Sequence, residues 1–127
     1  FTAFANKLTG TFPWTTPSPS LEWVQFNGNL LTGTLPWTDI AEFPLIHLEM
    51  SNNELTGGLD EAIGQLTTIK TMDFELNQLN GTIPASIGNL NVLHSLKLKQ
   101  NWFSSTLPSE LGNLRNLEEL TLYGNYD

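Results

Sequence analysis

An asparagine returns along the chain at a nearly constant interval, and this period constrains the fold more than any other feature. The intervals are 23, 24, 24, 24 and 24 residues, between Asn6, Asn29, Asn53, Asn77, Asn101 and Asn125. Self-similarity at such a period indicates stacked structural units, each covering the apolar face of the next. A single unit buries too few apolar side chains to offset the entropy lost when about 24 residues become ordered.

Two apolar residues separated by one polar residue precede the asparagine in each interval, as in Leu48/Met50, Met72/Phe74 and Leu96/Leu98. A period of two is expected for a β-strand with one buried face. Successive intervals then place these strands side by side and parallel, about 4.8 Å apart. Where the strands end, an asparagine side chain can satisfy backbone groups of its own turn and the adjacent turn. We therefore predict a buried ladder formed by Asn29, Asn53, Asn77, Asn101 and Asn125.

A longer pattern follows the asparagines, reading NKLTGTFP from Asn6, NLLTGTLP from Asn29 and NQLNGTIP from Asn77. It resembles the plant-specific class of leucine-rich repeats, found in the ectodomains of receptor-like kinases and receptor-like proteins of plants and some algae. The resemblance implies an α/β solenoid, a right-handed superhelix of about five 24-residue turns with a parallel β-sheet on its concave face. It also implies a second short extended segment at the Thr-Gly-x stretch, and short helical or 3-10 turns on the convex face.

Several positions depart from the repeat. The first interval is one residue short, and residues 15–20 replace the Leu-Gly-Asn-Leu stretch usual in the repeat, so we expect an irregular convex loop there. Trp14 and Trp37 each follow a proline, and we expect both on the convex rim. Residues 1–127 form a single repeat segment without a polar cap at either end, which indicates part of a longer chain.

The charge balance disfavours several classes of partner. The chain has 5 Lys and Arg against 13 Asp and Glu, a net charge of −8. Nucleic acids and anionic membrane surfaces require clustered basic residues, so we expect neither as a partner. No apolar run reaches the ~18 residues of a membrane span, so no membrane insertion of this segment is expected. Cysteine is absent, which excludes disulfides and thiolate metal sites, and no cofactor is expected.

The outward-facing strand positions of successive turns align in columns and provide the candidate binding surface. Exposed aromatic residues beside charges are typical of recognition surfaces. We predict that a protein or peptide partner binds the concave face through Trp23, His47, Glu49, Asp73, Glu75, Lys97, Lys99, Trp102 and Tyr123. In the alternative interpretation these residues have no partner, and Asp73–Lys97 and Glu75–Lys99 form weak cross-strand pairs that neutralise the carboxylates.

Three of these residues, Glu49, Asp73 and Glu75, also raise the question of calcium binding or acid–base catalysis. A glycosidase pair flanks a cleft, whereas a smooth sheet surface supplies none. His47 and His94 lie in different columns without metal-ligand spacing. We therefore predict no catalytic residues and no metal ligands, and we expect the protein not to be an enzyme.

Two further patterns lie on the second extended segment. Thr-x-Thr pairs recur there in a ladder that resembles ice-binding surfaces, although Gly58 and Asn80 interrupt it. Asn80-Gly81-Thr82 is a sequon for N-linked glycosylation, which is used only on the secretory route.

The sequence as a whole favours a non-catalytic recognition module. The resemblance places it in a receptor-like protein that is extracellular or at the cell surface, while the composition is also compatible with a location inside the cell. A second hypothesis is a structural subunit or spacer, whose partners are the other subunits of a larger assembly. Ice binding through the Thr-x-Thr edge is a third and weaker hypothesis.

Overall fold

The computed structural model describes residues 1–14 and 18–125, and these form two parallel β-sheets. The front sheet has the spatial order β10-β8-β6-β4-β2 and consists of β2 (Trp23–Gln25), β4 (His47–Glu49), β6 (Thr71–Asp73), β8 (Ser95–Lys97) and β10 (Glu119–Thr121). The second sheet has the order β1-β3-β5-β7-β9 and consists of β1 (Thr9–Gly10), β3 (Leu30–Gly33), β5 (Glu54–Gly57), β7 (Gln78–Gly81) and β9 (Trp102–Phe103). Strands alternate between the sheets along the chain, which confirms the predicted solenoid and its second extended segment.

Short helical segments close the turns on the side away from the front sheet, as predicted. They are the helix α1 (Trp37–Ile40) and the 3-10 helices Glu61–Gln65, Ala85–Asn89 and Ser109–Asn113. Asp60, which stands where other turns have proline, caps the first 3-10 helix by accepting a hydrogen bond from the Ala62 backbone N–H at 2.7 Å. The irregular loop predicted over residues 15–20 includes residues 15–17, which lie outside the described part of the chain.

The core lies between the two sheets and the helical segments. The middle residues of four front strands are completely buried, namely Val24, Leu48, Met72 and Leu96. Burial of each such side chain stabilises the fold by about 1.5–3 kcal/mol. Alternation within each strand therefore directs its first and last residues outward, and this sets the composition of the candidate binding surface.

The prediction that Trp37 lies on the convex rim is wrong, because its side chain is only 1% exposed. The indole packs edge-on against Phe74, with 5.7 Å between ring centroids. Its N–H donates a hydrogen bond to the Gly58 carbonyl at 2.8 Å. Since the one polar group of the ring has a partner, the large apolar area of Trp37 is buried without losing a hydrogen bond. Trp14 is half-buried, and its ring lies 4.4 Å from that of Phe12.

The repeat asparagines tie each turn to the one before it. The Asn77 amide donates to the carbonyl of Phe74 in its own turn at 3.1 Å and to that of Met50 in the preceding turn at 3.0 Å. Its carbonyl oxygen accepts from the Leu55 backbone N–H at 3.0 Å. The equivalent bonds form at the other members, of which Asn125 is half-buried and the rest are buried: Asn29, Asn53, Asn101 and Asn125.

The Thr-Gly-Thr motif has a packing role in the second sheet. Gly57 has a φ of +81°, and a Cβ added there would lie 2.9 Å from the Thr34 methyl of the preceding turn. The same relation holds between Gly33 and Thr11, at 2.8 Å. Threonine of one turn therefore packs over glycine of the next.

We expect Asn77→Leu to lower the free energy of unfolding by about 1–3 kcal/mol or more, because buried backbone groups lose their partners. Denaturant unfolding of the purified protein measures this loss. Asn113→Leu is the matched control, since Asn113 is exposed at the end of a 3-10 helix, and its effect should stay within about 0.5 kcal/mol. Equal losses in the two variants would contradict the ladder.

Gly57→Ala and Gly81→Ala together test the threonine–glycine packing. Both glycines have φ near +80°, so each substitution costs about 1–2 kcal/mol of backbone strain. A Cβ at Gly81 meets no heavy atom within 4 Å, so Gly57→Ala should be the more destabilising variant in the same unfolding experiment. Adding Thr34→Ser, which removes the methyl, should recover the difference. An equal effect at the two glycines would show that the packing contributes nothing.

Candidate functional site

Three outward positions of each front-sheet turn form columns on the exposed side of the sheet. In register across the strands they are Trp23, His47, Thr71, Ser95 and Glu119; Gln25, Glu49, Asp73, Lys97 and Thr121; and, just after the strands, Asn27, Ser51, Glu75, Lys99 and Tyr123. We call these residues the front-sheet surface. All the predicted partner-binding residues except Trp102 lie on it.

An aromatic pair and a carboxylate occupy the N-terminal end of the front-sheet surface. The Trp23 and His47 rings are 4.0 Å apart and tilted by 38°, and Trp23 remains 47% exposed. The Glu49 carboxylate accepts hydrogen bonds from the amides of Gln25 at 3.0 Å and Asn27 at 3.4 Å. Its other oxygen lies 3.9 Å from His47 Nδ1. Neutral amide donors thus fix the orientation of Glu49.

Two further carboxylates lie in the middle of the surface. Asp73 accepts a hydrogen bond from the Glu75 backbone N–H at 3.1 Å. Burial raises the pKa of Asp73 above its ordinary value, while this bond and one with the Ser51 side chain oppose the shift. The Glu75 carboxylate accepts from the Thr121 hydroxyl at 2.6 Å, although the two residues are 46 positions apart. Glu75 therefore reaches across the turn that carries the lysines.

The two lysines have partners toward the C-terminal end. Lys97 Nζ lies 3.1 Å from a Glu119 carboxylate oxygen, and this contact raises the pKa of Lys97. The same contact, together with a hydrogen bond from the Ser95 hydroxyl, lowers the pKa of Glu119. The Lys99 ammonium lies 4.9 Å from the centroid of the Tyr123 ring, and interaction with Tyr123 raises the pKa of Lys99.

The cross-strand ion pairs Asp73–Lys97 and Glu75–Lys99 of the alternative interpretation do not form among the described residues. Within the described residues, the only ion pair of either lysine that is shorter than 4 Å joins Lys97 to Glu119. The register explains this, because Glu119 lies next to Ser95 in the adjoining strand, within diagonal reach of the long Lys97 side chain. The carboxylates of Asp73 and Glu75 are consequently hydrogen-bonded but not ion-paired with these lysines.

Trp102 belongs to a different surface from the other predicted residues. It begins β9 in the second sheet, where its register neighbour is Asn80, and it is 54% exposed. The prediction grouped it with the front-sheet surface because it counted the position directly after the repeat asparagine among the outward columns of the concave sheet. Its place in the second sheet separates it from the charged columns.

Leu76 was missed by the sequence analysis. Its side chain is 44% exposed, beside Glu75, and its φ is +56°. A left-handed conformation costs a leucine about 1–2 kcal/mol. Because the side chain is largely exposed, the free energy gained from its burial offsets little of that cost. The signal was present in the sequence, because the equivalent positions of the other turns hold Ala5, Gly28, Asn52, Gln100 and Gly124. A large apolar residue in such a column is consistent with contact to a partner.

The described residues contain no group of three or more His, Asp or Glu side chains placed to hold a metal ion. A pocket of about 580 Å³ lies at the N-terminal end of the core, lined by aromatic side chains that include Phe12, Phe26 and Phe43. None of the predicted partner-binding residues lines this pocket, so the front-sheet surface is an open face rather than a cleft.

Within residues 1–14 and 18–125, no helix has the length and apolar character needed to cross a membrane.

The chain belongs to the leucine-rich repeat family. The family described as Leucine Rich Repeat matches residues 44–66, 68–90 and 92–114, which is more than half of the chain. No curated protein matches the sequence. The family assignment predicted from the resemblance of the NKLTGTFP, NLLTGTLP and NQLNGTIP stretches is thereby confirmed.

Similar solved structures are ectodomains of plant receptor kinases. The ectodomain of the Arabidopsis receptor kinase HAESA, solved with a peptide hormone ligand, IDA, is 34% identical with a TM-score of 0.83, over 94% of this chain and 21% of that one. Pollen Receptor Kinase 3 is 28% identical with a TM-score of 0.85, over 96% of this chain and 59% of that one. The Arabidopsis BIR3–SERK2 complex is 28% identical with a TM-score of 0.81, over 97% of this chain and 65% of that one. The chain spans about a fifth to two thirds of these structures.

Asp73→Asn and Glu119→Gln should change the pH dependence of stability in opposite directions. The pKa of Asp73 is raised above 3.8, so the folded chain keeps this proton to a higher pH than the unfolded chain does. The contribution of Asp73 to the unfolding free energy therefore falls as the pH rises from about 3.8 through the raised pKa. Relative to the parent protein, Asp73→Asn should gain stability across that window.

Glu119 provides the matched comparison, because its pKa is lowered below 4.5. Its contribution is present above about pH 4.5 and is lost as the pH falls through the lowered pKa. Relative to the parent, Glu119→Gln should therefore lose stability as the pH rises toward 4.5. Urea unfolding between about pH 3 and pH 7 measures both differences, and slopes of the same sign would contradict the assignment.

Proposed function

We propose that the chain is a non-catalytic recognition module of a receptor-like protein, extracellular or at the cell surface, and that it binds a peptide or an extended protein segment along the front-sheet surface. Similar ectodomains have been solved with such partners: HAESA with the IDA peptide and the co-receptor SERK1, and RGFR1 with RGF2. The front-sheet surface of this chain combines several charged side chains with the exposed aromatic rings of Trp23 and Tyr123.

The observation that carries the proposal is the mutual fixation of the outward side chains. Glu49 is held by two amides, Glu75 by the Thr121 hydroxyl, and Lys97 by Glu119. Such exposed contacts add little to folding stability. They do reduce the freedom of the side chains before a partner arrives, so less entropy is lost on binding. Fixed polar groups also favour one arrangement of partner charges over others.

The dimensions of the surface indicate the size of the bound segment. Five strands at about 4.8 Å span roughly 19 Å, the length of about six extended residues. A basic group of the partner would lie over Glu49, Asp73 and Glu75. Trp23 and Tyr123, 47% and 64% exposed, would supply apolar anchors at the two ends. Leu76 would add an apolar contact beside Glu75.

Charge reversal at Lys97 and Lys99 tests this face. Peptides selected from a random displayed library against the full-length parent protein serve as probes. Lys97→Glu with Lys99→Glu should slow association roughly tenfold or more for acidic peptides and change its salt dependence. Lys70→Glu with Arg115→Glu is the control, because it changes the net charge equally at exposed sites off the front-sheet surface. Trp23→Ala should mainly speed dissociation.

Three results would contradict the proposal. The first is that no peptide is enriched against the parent protein. The second is that the Lys97/Lys99 variant binds the selected peptides as the control does, and this would favour a structural subunit or spacer. The third is ice shaping by the purified parent that is lost when Thr32 and Thr82 are replaced by Tyr, and this would favour the ice-binding alternative. Surface biotinylation of intact cells tests the location separately.

A further inference from the structure

Asn80 and Trp102 are register neighbours in adjacent strands of the second sheet. Their Cα atoms are paired across β7 and β9, and both side chains are exposed. The residue before Asn80, Leu79, and the residue after Trp102, Phe103, are buried on the opposite face of the sheet. Paired residues of parallel strands project to the same face about 4.8 Å apart. The Asn80 amide and the Trp102 indole therefore stand side by side on the solvent side.

Repeat alignment alone does not show this pairing, because the second sheet is staggered. Front-sheet partners are 24 residues apart, as in Trp23↔His47, whereas second-sheet partners such as Asn80↔Trp102 are 22 apart. The corresponding pairs in the other turns are Thr9↔Leu30, Thr32↔Glu54 and Thr56↔Gln78. Asn80 thus stands where the other turns have threonine, and its partner Trp102 stands where the other turns have Leu30, Glu54 and Gln78.

The sequence and the space around Asn80 fit a covalent modification. Asn80-Gly81-Thr82 is the one sequon in the sequence, and all three residues are exposed. On the other side of Asn80 lies Gly58, which has no side chain and whose added Cβ would come within 2.9 Å of the Asn80 carbonyl oxygen. A Cβ at Gly81 would meet nothing within 4 Å. Asn80 therefore has a side-chain-free glycine on one flank and an aromatic ring on the other, with open space beside Gly81.

We propose that Asn80 carries an N-linked glycan whose first N-acetylglucosamine packs against the Trp102 indole. The step joins Asn80 Nδ2 to the anomeric carbon C1 of that sugar and breaks the bond from C1 to the pyrophosphate oxygen of a lipid-linked oligosaccharide donor. The lipid pyrophosphate leaves, and the amide releases one proton. The proposal rests on the extracellular location in the proposed function, since the sequon is used only on the secretory route.

Packing of a sugar on Trp102 accounts for an exposed tryptophan that the front-sheet surface does not use. The indole offers the largest apolar face of any side chain, and the C–H groups of a pyranose ring cover such a face without losing their hydroxyl hydration. Trp102 is then a platform for the glycan rather than an anchor for the peptide partner. The glycan covers the second sheet and leaves the front-sheet surface free.

The first measurement is occupancy in the native full-length protein. Peptide mass spectrometry after peptide N-glycosidase treatment in heavy-oxygen water should show Asn80 converted to oxygen-labelled aspartate. The label distinguishes release of a glycan from spontaneous deamidation at Asn80-Gly81. Asn80→Gln and Thr82→Val should abolish the modification in a eukaryotic secretory host, while Thr82→Ser retains it. A native protein with unmodified Asn80 overturns the proposal, and peptide binding to the front-sheet surface is measured independently of that result.

The second measurement tests the platform. The midpoint of thermal unfolding should be about 3–6 °C higher in the glycosylated protein than in Asn80→Gln, and Trp102→Ala should remove most of this difference. Trp23→Ala is the matched control, an exposed tryptophan on the front sheet that should leave the difference intact. A glycan effect of equal size with and without Trp102 overturns the packing. So does loss of peptide binding in Trp102→Ala at unchanged occupancy, which would return Trp102 to the partner-binding set.

Discussion

The side-chain amide of the repeat asparagine is the interaction on which the rest of the structure depends. At Asn77 the side-chain N–H groups donate to carbonyls of two successive turns, Met50 and Phe74. Its side-chain oxygen accepts a hydrogen bond from the backbone N–H of Leu55 in the second sheet. These backbone groups lie where the chain leaves the front sheet, out of reach of water, so each would otherwise be unpaired. The same three bonds thus set the spacing of the front strands and the direction in which the chain enters the second sheet.

The sequence was sufficient to predict those parts of the fold that repeat. A residue that returns every 24 positions in the same apolar context has the same environment each time, so both the front strands and the buried asparagines followed from spacing. Single departures were harder to interpret. Proline followed by Trp37 is equally compatible with an indole facing outward or inward, and the inward choice depends on the Gly58 carbonyl one turn away. The sequence contains no signal for that contact.

The outward-facing residues of the front strands were predictable, but the pairing of their side chains was not. The alternation of each strand determined which residues face outward, and this requires only a period of two. The partner of Lys97 depends instead on side-chain length and rotamer, and a diagonal carboxylate at Glu119 proved closer than the directly opposite Asp73. The displacement of Trp102 onto the second sheet had a different cause. Trp102 directly follows the repeat asparagine, where the chain leaves the front sheet, so it begins β9 as Leu30, Glu54 and Gln78 begin their strands. The two sheets also differ in register by two residues per turn, since front-sheet partners are 24 residues apart and second-sheet partners such as Asn80 and Trp102 are 22 apart.

That two-residue difference gives the solenoid two faces with separate chemistry. In the front sheet, residues at the same repeat position lie side by side in adjacent strands. Charged residues that recur at one repeat position therefore form a continuous band across the strands. The second sheet sets each residue beside one from a different repeat position, so Asn80 adjoins Trp102 rather than Ser104. A polar ligand aligned with the columns of one face and a covalent group held at a single junction of the other can therefore occupy the chain together, since neither uses the side chains of the other.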